Sequence, residues 1–565
     1  MGESRFSPGD VDLVSQSDST QDSPSAAQDL VLIFLRKWWF LIGLAVAIPL
    51  VVAAVANGLE QVYLVGDGAK IELLARDVWS THTPYTGLIG RMNWNHPGPA
   101  MFWLLSPGAL LARDDSAPLL VWNVILISVP LIGALVLAWG LGRRFFSVIV
   151  LSTLLALIAL PVAVIRTPWN PWFPIPLLVL LFVLSARVVF GKTRDLIGVA
   201  IIGSIMVQTH VGTALIVASL AISAATFVAI DARRSRAMPN RWRSTVAWIC
   251  ASTVFLWILP VIGVFRDVGG NLVELGRYFV DAPGGSVGIR GALRLFADEY
   301  RWPIPWITGA QRILETPDIL GYRDIAAQSH VIYILAPFGA LIVGYLLASS
   351  ATMRVWRRYI VMTAVLLLTG IIAISQADQA LYYTFAWRGF IAPLAILIPS
   401  VPIVSRLIDR RRALTKVFAI GVAVACVMAT VSIVPKMDSR SVEDPILLGA
   451  LRSIVSVIDS KDISGEKVEY ISRQKASLFG ASLSDGVINE LDRRGIDVVI
   501  PDNDRGGRAY GAHRIGAPSS ASEVWYLVGS VEQFKELRTT PNAQLIWQAS
   551  PYSTFAIFAI PTPNR

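Results

Sequence analysis

The chain has 565 residues, 54% hydrophobic and only 16% charged. Apolar runs of about 17 to 24 residues recur along it, each long enough to cross a ~30 Å hydrocarbon layer as a helix. These runs are apolar on every side, which a water-soluble core does not require, so a soluble enzyme is excluded and a polytopic membrane protein is specified. The net charge of +9 does not call for a nucleic-acid partner, because the basic clusters sit at alternate ends of the apolar runs and so report topology.

Residues 1–28, rich in Ser, Asp and Gln with no basic stretch leading an apolar core and cleavage site, read as a disordered cytoplasmic tail. Arg36 and Lys37 precede a first span near 38–57, which puts the N-terminus in the cytoplasm and the loop 58–117 outside. Within that loop the run 99–112 is short, holds Pro107 and ends in Arg113-Asp114-Asp115. If it crossed, every later basic cluster would move outside, so it reads as an outer juxtamembrane or re-entrant helix. Spans follow near 118–141, 148–165, 173–190, 195–210, 212–230, 245–265, 331–349, 359–375, 388–404 and 415–434, about eleven in all. The clusters Arg143/Arg144, Arg187/Lys192/Arg194, Arg233/Arg234/Arg236/Arg241/Arg243, Arg354/Arg357/Arg358 and Arg406/Arg410/Arg411/Arg412/Lys416 then face the cytoplasm. Cys250 and Cys426 fall inside apolar runs and read as small core residues, not as a disulfide or metal framework.

The expected fold class is therefore an all-α polytopic membrane domain, residues 29–434, with outer loops 58–117 and 266–330. A small α/β domain, residues 435–565, should lie outside. Its composition is that of a soluble module: "KVEYISR", then "LSDGVINELDRRG" with a glycine where a helix would stop, then "IDVVIP" read as strand, helix, strand. Further strands are expected at "EVWYLV" and "STFAIFAI". No phosphate-cradling glycine loop or catalytic triad is visible there, so packing or acceptor binding is the expected role. No fixed-period repeat occurs.

Every long polar loop and all five histidines fall at the outer face. ATP and nucleotide sugars are not normally available there, and no P-loop is present. An enzyme at this face needs a donor carried by the membrane.

The order of tail, first span, an acid early in the first outer loop, an amphipathic segment, a His-Pro step, an aromatic-rich helix and "LAWGLGRRFF" closing a span resembles the C-type glycosyltransferase superfold. It is most similar to the protein O-mannosyltransferase and lipid A aminoarabinose transferase branches. The resemblance rests on Asp67 in "VGDGA", on "NHPGPAMFWLL" at 95–105 and on Gly142-Arg143-Arg144-Phe145-Phe146, within residues 30 to 190. Those relatives show Asp-Glu and His-Pro-Pro where this chain has Asp67-Gly68 and His96-Pro97-Gly98-Pro99. Branch, sugar and acceptor stay open.

The resemblance implies inverting transfer of a sugar from a polyprenyl-phosphate donor to a glycan, lipid or protein acceptor at the outer face of a plasma membrane. The attacking hydroxyl must lose a proton to a carboxylate, and Asp67, about ten residues past the first span, matches that demand. Its alternative role is a helix N-cap opening "AKIELLARDVW". Asp77 is a weaker candidate base, and Glu72 with Arg76, one turn apart, reads as an ordinary surface pair. The leaving phosphate needs cations. Lys70, Arg91, Arg166 and Arg388 qualify as isolated cations on the outer side, with interfacial snorkelling as the alternative for each. His96 either binds a metal or the phosphate, or anchors the loop before Pro97. A divalent metal stays open as a cofactor, but no His/Asp/Glu spacing identifies its site. Trp94, Trp103, Trp169, Trp172, Trp302, Trp306, Tyr382, Tyr383 and Trp387 concentrate at the same face as a sugar-stacking surface or an interfacial belt. In loop 266–330, "IRGALRLFADEY" reads as an amphipathic helix on the membrane surface, with Asp298 and Glu299 solvated. The rival functions are a flippase or transporter of lipid-linked sugars, and a non-catalytic partner in envelope polysaccharide assembly. A transporter would favour mid-membrane charge and internally repeated broken helices, and the sequence displays neither clearly.

Overall fold

A computed structural model describes residues 46–59, 61–160, 163–266, 270–281, 286–308, 330–350, 353–379, 381, 383–407, 421, 424, 425, 427, 428, 444–461, 463, 465–473, 478–501, 506–516 and 521–562. The tail 1–28, Arg36, Lys37, Arg410, Arg411, Arg412, Lys416, Tyr382, Cys426 and most of the expected span 415–434 lie outside the described residues.

Helices, most of them apolar, dominate the first four hundred residues. They are α1 (Val46–Leu59), α2 (Gly66–Asp77), α3 (Ala100–Leu111), α4 (Ala117–Trp139), α5 (Arg143–Ala159), α6 (Pro174–Val189), α7 (Leu196–Thr209), α8 (Ala214–Ser235), α9 (Trp242–Arg266), α10 (Gly270–Asp281), α11 (Gly288–Asp298), α12 (Leu335–Leu347), α13 (Arg354–Ser375) and α14 (Arg388–Leu407). Among the described residues five stretches are long and apolar enough to cross a membrane: Ala117–Trp139, Val211–Ser235, Trp242–Arg266, Arg354–Ser375 and Arg388–Arg406. The chain is a membrane protein on this ground. The segment α3, at 12 residues, is only ~18 Å long and too short to cross alone. It lies against α2 and α4, with the Trp122 indole donating to the Leu104 carbonyl at 2.8 Å.

The sequence sets several of the boundaries. Pro118 enters α4 in its first turn, where its missing N–H costs nothing. Between α4 and α5, Gly142 adopts φ +103°, a conformation open to glycine and strained for a side chain, which reverses the chain just before the Arg143-Arg144 pair. Helix α14 is buried along most of its length between α5, α12 and α13, despite Pro393, Pro399 and Pro402. Neighbouring helices make such prolines tolerable at membrane depth. By contrast, α9 exposes Trp248, Val254, Phe255 and Phe265, a surface suited to lipid. Cys250 lies on that exposed surface and not in the core, since the face of α9 turned inward carries little more than Thr245, Pro260 and Gly263.

The chain then builds a five-stranded sheet in the order β2-β1-β3-β5-β4: β1 (Lys467–Ser472), β2 (Asp497–Val499), β3 (Glu523–Val528), β4 (Gln544–Gln548) and β5 (Ala556–Pro561). β2, β1 and β3 run parallel, and β5 and β4 complete the sheet antiparallel. Helices α15 (Pro445–Ser460), α16 (Leu478–Arg493) and α17 (Val531–Thr539) cover it. The strands expected at 467, 497, 523 and 556 are present, and Gly495 at φ +74° follows α16 as the expected stop. Strand β4 and helices α15 and α17 were not expected. Asp444 caps α15, accepting from the Ile446 and Leu447 amides, and Ser530 caps α17.

The feature that positions the site is helix α2. One of its sides, with Ala69, Ile71, Leu74 and Ala75, belongs to the core of the helical bundle. Its other side contributes Leu73, with Tyr63 and Val65 just before it, to the core of the sheet domain alongside Leu451, Leu483, Val487 and Trp525. A twelve-residue helix is thus gripped from both sides.

Candidate functional site

The site starts where the extended residues 61–65 turn into α2. Gly66, at φ +55°, makes that turn, and Asp67 follows in the first helical turn, where the exposed N–H groups favour a negative charge. No side-chain bond caps the helix start, so Asp67 is not the N-cap that the sequence allowed. Its carboxylate turns outward: Oδ2 accepts from the Trp169 indole at 3.0 Å and Oδ1 pairs with the Lys70 ammonium at 3.0 Å. The side chain remains 40% exposed, so an incoming group has access to it.

Lys70 has a second partner. Its ammonium also lies 3.2 Å from Oδ2 of Asp485, on α16 of the sheet domain, and the Tyr510 hydroxyl donates to the other Asp485 oxygen. The approach depends on Gly486: a Cβ there would meet the Leu64 carbonyl at 3.1 Å and the Leu451 side chain at 2.7 Å. Glycine therefore lets α16 close on the extended segment leading into α2, and Asp485 arrives beside Lys70. Trp169 carries the aromatic side of the site, with its ring centroid 4.6 Å from that of Tyr383 and 4.6 Å from that of Trp172.

Burial works to raise the Asp67 carboxyl, but the Lys70 charge and the bonds from Trp169 and Lys70 outweigh it and hold the carboxyl below its ordinary value. Asp67 is ionised at neutral pH. Lys70 is held above its ordinary value, since its two carboxylates overcome the desolvation that opposes them. At Asp485 burial dominates and the carboxyl rises, although Lys70 and Tyr510 pull it down. The arrangement is an accessible carboxylate, a shared ammonium and an aromatic wall. It can accept a proton from a hydroxyl and hold a sugar ring.

The other residues singled out from the sequence have partners of their own. Arg166 is fully buried at the end of the turn Ala163–Arg166, its Nε donating to Asn57 at 2.6 Å. Arg388 is 1% exposed and wrapped by the Phe385 and Leu295 carbonyls, with Glu299 at 3.5 Å. Arg91 pairs with Asp378 at 2.7 Å and donates to Gln379. His96 is buried, its Nδ1 accepting from the Val211 amide at 3.2 Å and its ring against Trp94 and His210. Burial, with His210 beside it, pushes its pKa well down. Among the described residues no cluster of three or more His, Cys, Asp or Glu is placed to hold a metal ion.

Three expectations are corrected. Glu72 and Arg76 are not a surface pair: Glu72 is fully buried, accepting from Ser116 at 2.7 Å and Asn489 at 3.0 Å and pairing with Arg493 at 2.8 Å. Arg76 reaches Asp492 at 2.9 Å. Asp77 is no free base, because Arg514 grips both its oxygens at 2.6 and 2.9 Å. Asp298 and Glu299 are buried rather than solvated, since α11 turns its inner face, with Leu295 and Phe296, onto the bundle and carries both acids in with it. Asp298 pairs with Arg301 at 2.9 Å. The sequence reading had also left out Asp485 and Tyr510. Nothing local marks them: Asp485 acquires its meaning only through chain closure over more than four hundred residues to Lys70, and Tyr510 through its bond to Asp485.

The chain superposes on ArnT from Cupriavidus metallidurans bound to undecaprenyl phosphate with a TM-score of 0.57 at 11% identity, covering 91% of this chain and 97% of that one. Against apo ArnT from the same organism the TM-score is 0.53 at 13% identity, covering 93% of this chain and 98% of that one. No protein-family model matches the chain. No curated protein matches it in sequence. The likeness expected from Asp67, the His96-Pro97 step and Gly142-Arg143-Arg144 is therefore borne out at the level of the fold, which is that of the C-type glycosyltransferases.

Proposed function

We propose that the protein is a membrane glycosyltransferase that moves a sugar from a polyprenyl-phosphate donor to an acceptor hydroxyl, with Asp67 as general base. The observation that carries this reading is the Asp67 carboxylate, ionised and accessible between Lys70 and Trp169, on the helix that follows the first apolar helix. It stands in a fold matched almost end to end by ArnT bound to undecaprenyl phosphate. In the reaction Asp67 takes the proton of the acceptor hydroxyl, whose oxygen attacks the anomeric carbon. The bond from that carbon to the donor oxygen breaks, and polyprenyl phosphate leaves with the electron pair. A single displacement of this kind inverts the anomeric centre. Of the four candidate cations Lys70 is the one paired with Asp67 at 3.0 Å, and it is assigned the developing phosphate charge. Trp169 and Tyr383 form the wall for the sugar ring. His96 is assigned to orienting its loop, and Arg91, Arg166 and Arg388 to holding the surrounding segments.

The site is assigned to the outer face of a plasma membrane, with the N-terminus cytoplasmic, residues 29–434 as the transferase domain and residues 435–565 extracytoplasmic. The test is transfer from a polyprenyl-phosphate sugar by purified Asp67→Asn, using the acceptor revealed by comparing envelope glycans with those of a deletion strain. The amide still accepts from Trp169, so folding is retained while turnover falls by the ~10²–10⁴-fold typical of a lost general base. Near-normal turnover would end the assignment of Asp67.

A further inference from the structure

The contact between Lys70 and Asp485 joins two parts of the chain that the sequence keeps far apart, and the proposed reaction has not used it. Asp67 and Asp485 approach one ammonium at nearly equal distances, 3.0 and 3.2 Å, from opposite elements, α2 and α16. The side chain of Asp485 is 8% exposed and that of Lys70 15%. The titratable and polar groups around them are Tyr510, whose hydroxyl donates to Asp485, Tyr470, whose hydroxyl lies 3.4 Å from Ser484, and Trp169 on the far side of Asp67.

We propose that Asp485 is a positioning residue supplied by the sheet domain: it draws the Lys70 ammonium partly off Asp67, keeping the Asp67 carboxylate accessible and the ammonium in place for an anionic group. With Asp485 absent, Lys70 would collapse onto Asp67 as a private ion pair, and the same oxygen would be less available to a hydroxyl proton. With Asp485 present, the ammonium stands between two acceptors and keeps a third N–H for another partner. Tyr510 fixes the carboxylate that does this. The sheet domain is then a component of the site, beyond any part it takes in packing. The purpose of the clamp rests on the catalytic reading of Asp67, whereas the clamp itself is testable without substrate.

The probe is competitive acetylation of lysines by isotopically labelled acetic anhydride in the full-length, detergent-purified protein, read by peptide mass spectrometry across pH. An ammonium that loses a carboxylate partner loses pKa, and each unit is a tenfold change in free amine at fixed pH. Asp485→Asn should therefore raise Lys70 labelling about tenfold, Asp67→Asn should raise it by the same order, and Asp485→Glu should restore most of the protection. Lys461 and Lys467, which pair with Glu523 and Asp497 in the same domain, report its folding and should stay unchanged. Lys70 labelling within twofold of wild type in Asp485→Asn overturns the proposal. Equal rises at Lys70, Lys461 and Lys467 also overturn it, because they signify loosening of the whole domain. In a transfer assay the same variant should move the acid limb of kcat/KM to lower pH, since a negative charge near the base has gone, an effect that a purely structural role would not produce. If Asp67→Asn is fully active, the base assignment falls while the labelling still decides the clamp.

Discussion

Replacing Glu72 by alanine should loosen the seam between the bundle and the sheet domain. The carboxylate has no exposed surface and holds four groups: Ser116 Oγ, Asn489 Nδ2, Arg493 and, at 3.5 Å, Arg76. Removing one partner of a buried ion pair leaves the other charge uncompensated and costs about 3–5 kcal/mol. Here the loss should fall at the lower end. Arg493 keeps Glu490 at 3.0 Å and the Asp115 carbonyl at 2.8 Å, and Arg76 keeps Asp492. At ~1.4 kcal/mol per tenfold, a loss of about 3 kcal/mol raises the open population of the seam about 10²-fold. Amide hydrogen exchange over residues 66–77, measured in detergent, reads that population directly. Glu72→Gln, which retains an oxygen for Ser116 and Asn489 but loses the charge, should give an intermediate rise of about tenfold. Exchange within threefold of wild type in the alanine variant would refute the claim that this network holds α2 to the sheet domain.

Asp77→Asn should lower thermal stability by about 2–4 kcal/mol through the loss of its bidentate bond to Arg514, while the turnover of the folded fraction stays near wild type; a tenfold fall in turnover with unchanged stability would reinstate Asp77 as a base. Burial raises the Glu299 carboxyl to about 7 against the opposing pull of Arg388. A carboxyl raised in the fold favours the protonated folded form, so its contribution is full below pH ~4.5 and is lost as pH rises through 7. Melting temperature should thus fall between pH 5 and 8, and Glu299→Gln should flatten that slope, which a parallel pair of melting curves will check. In a background with Cys250 and Cys426 replaced by alanine, Tyr552→Cys, at a site 99% exposed, should react with an impermeant thiol reagent from outside cells, and Ser235→Cys should not; the reverse pattern would put the Asp67 site in the cytoplasm.

What was legible in the sequence is what depends on short range. A span is an apolar run longer than the hydrocarbon layer, so the helices from Ala117 onward appear near their expected positions. The β-rich runs "KVEYISR" and "IDVVIP", with the glycine that stops the helix between them, likewise located β1, α16 and β2. Misreadings came where a residue's partner lies far along the chain. The i,i+4 spacing of Glu72 and Arg76 points to a surface pair, yet the partner that decides their environment is 421 positions on, at Arg493. Asp77 finds Arg514 437 residues away. Asp298 and Glu299 looked solvated because a polar loop is the ordinary setting for two adjacent acids, and only the docking of α11 buries them. β4 and α17, by contrast, carry short-range signatures of their own, "QLIWQ" and the Ser530-to-Gln533 cap.

The long-range bonds also explain why Asp67 has a soft environment beside a rigid one. Asp77 lies ten positions beyond Asp67, and over this stretch the helix carries a polar network: Glu72, Arg76 and Asp77 locked to Asn489, Arg493, Asp492 and Arg514. These fix the axis of α2 against α16. Once the axis is fixed, the first turn needs no cap bond, and its carboxylate is left facing solvent with an indole and an ammonium rather than tied to backbone amides. A catalytic carboxylate must be oriented and still accessible, and a helix achieves both if it is pinned about one to three turns away from its reactive end. The cost of that arrangement is dependence on the sheet domain: a chain lacking residues 445–562 would lose every one of these bonds together, and with them the orientation of Asp67.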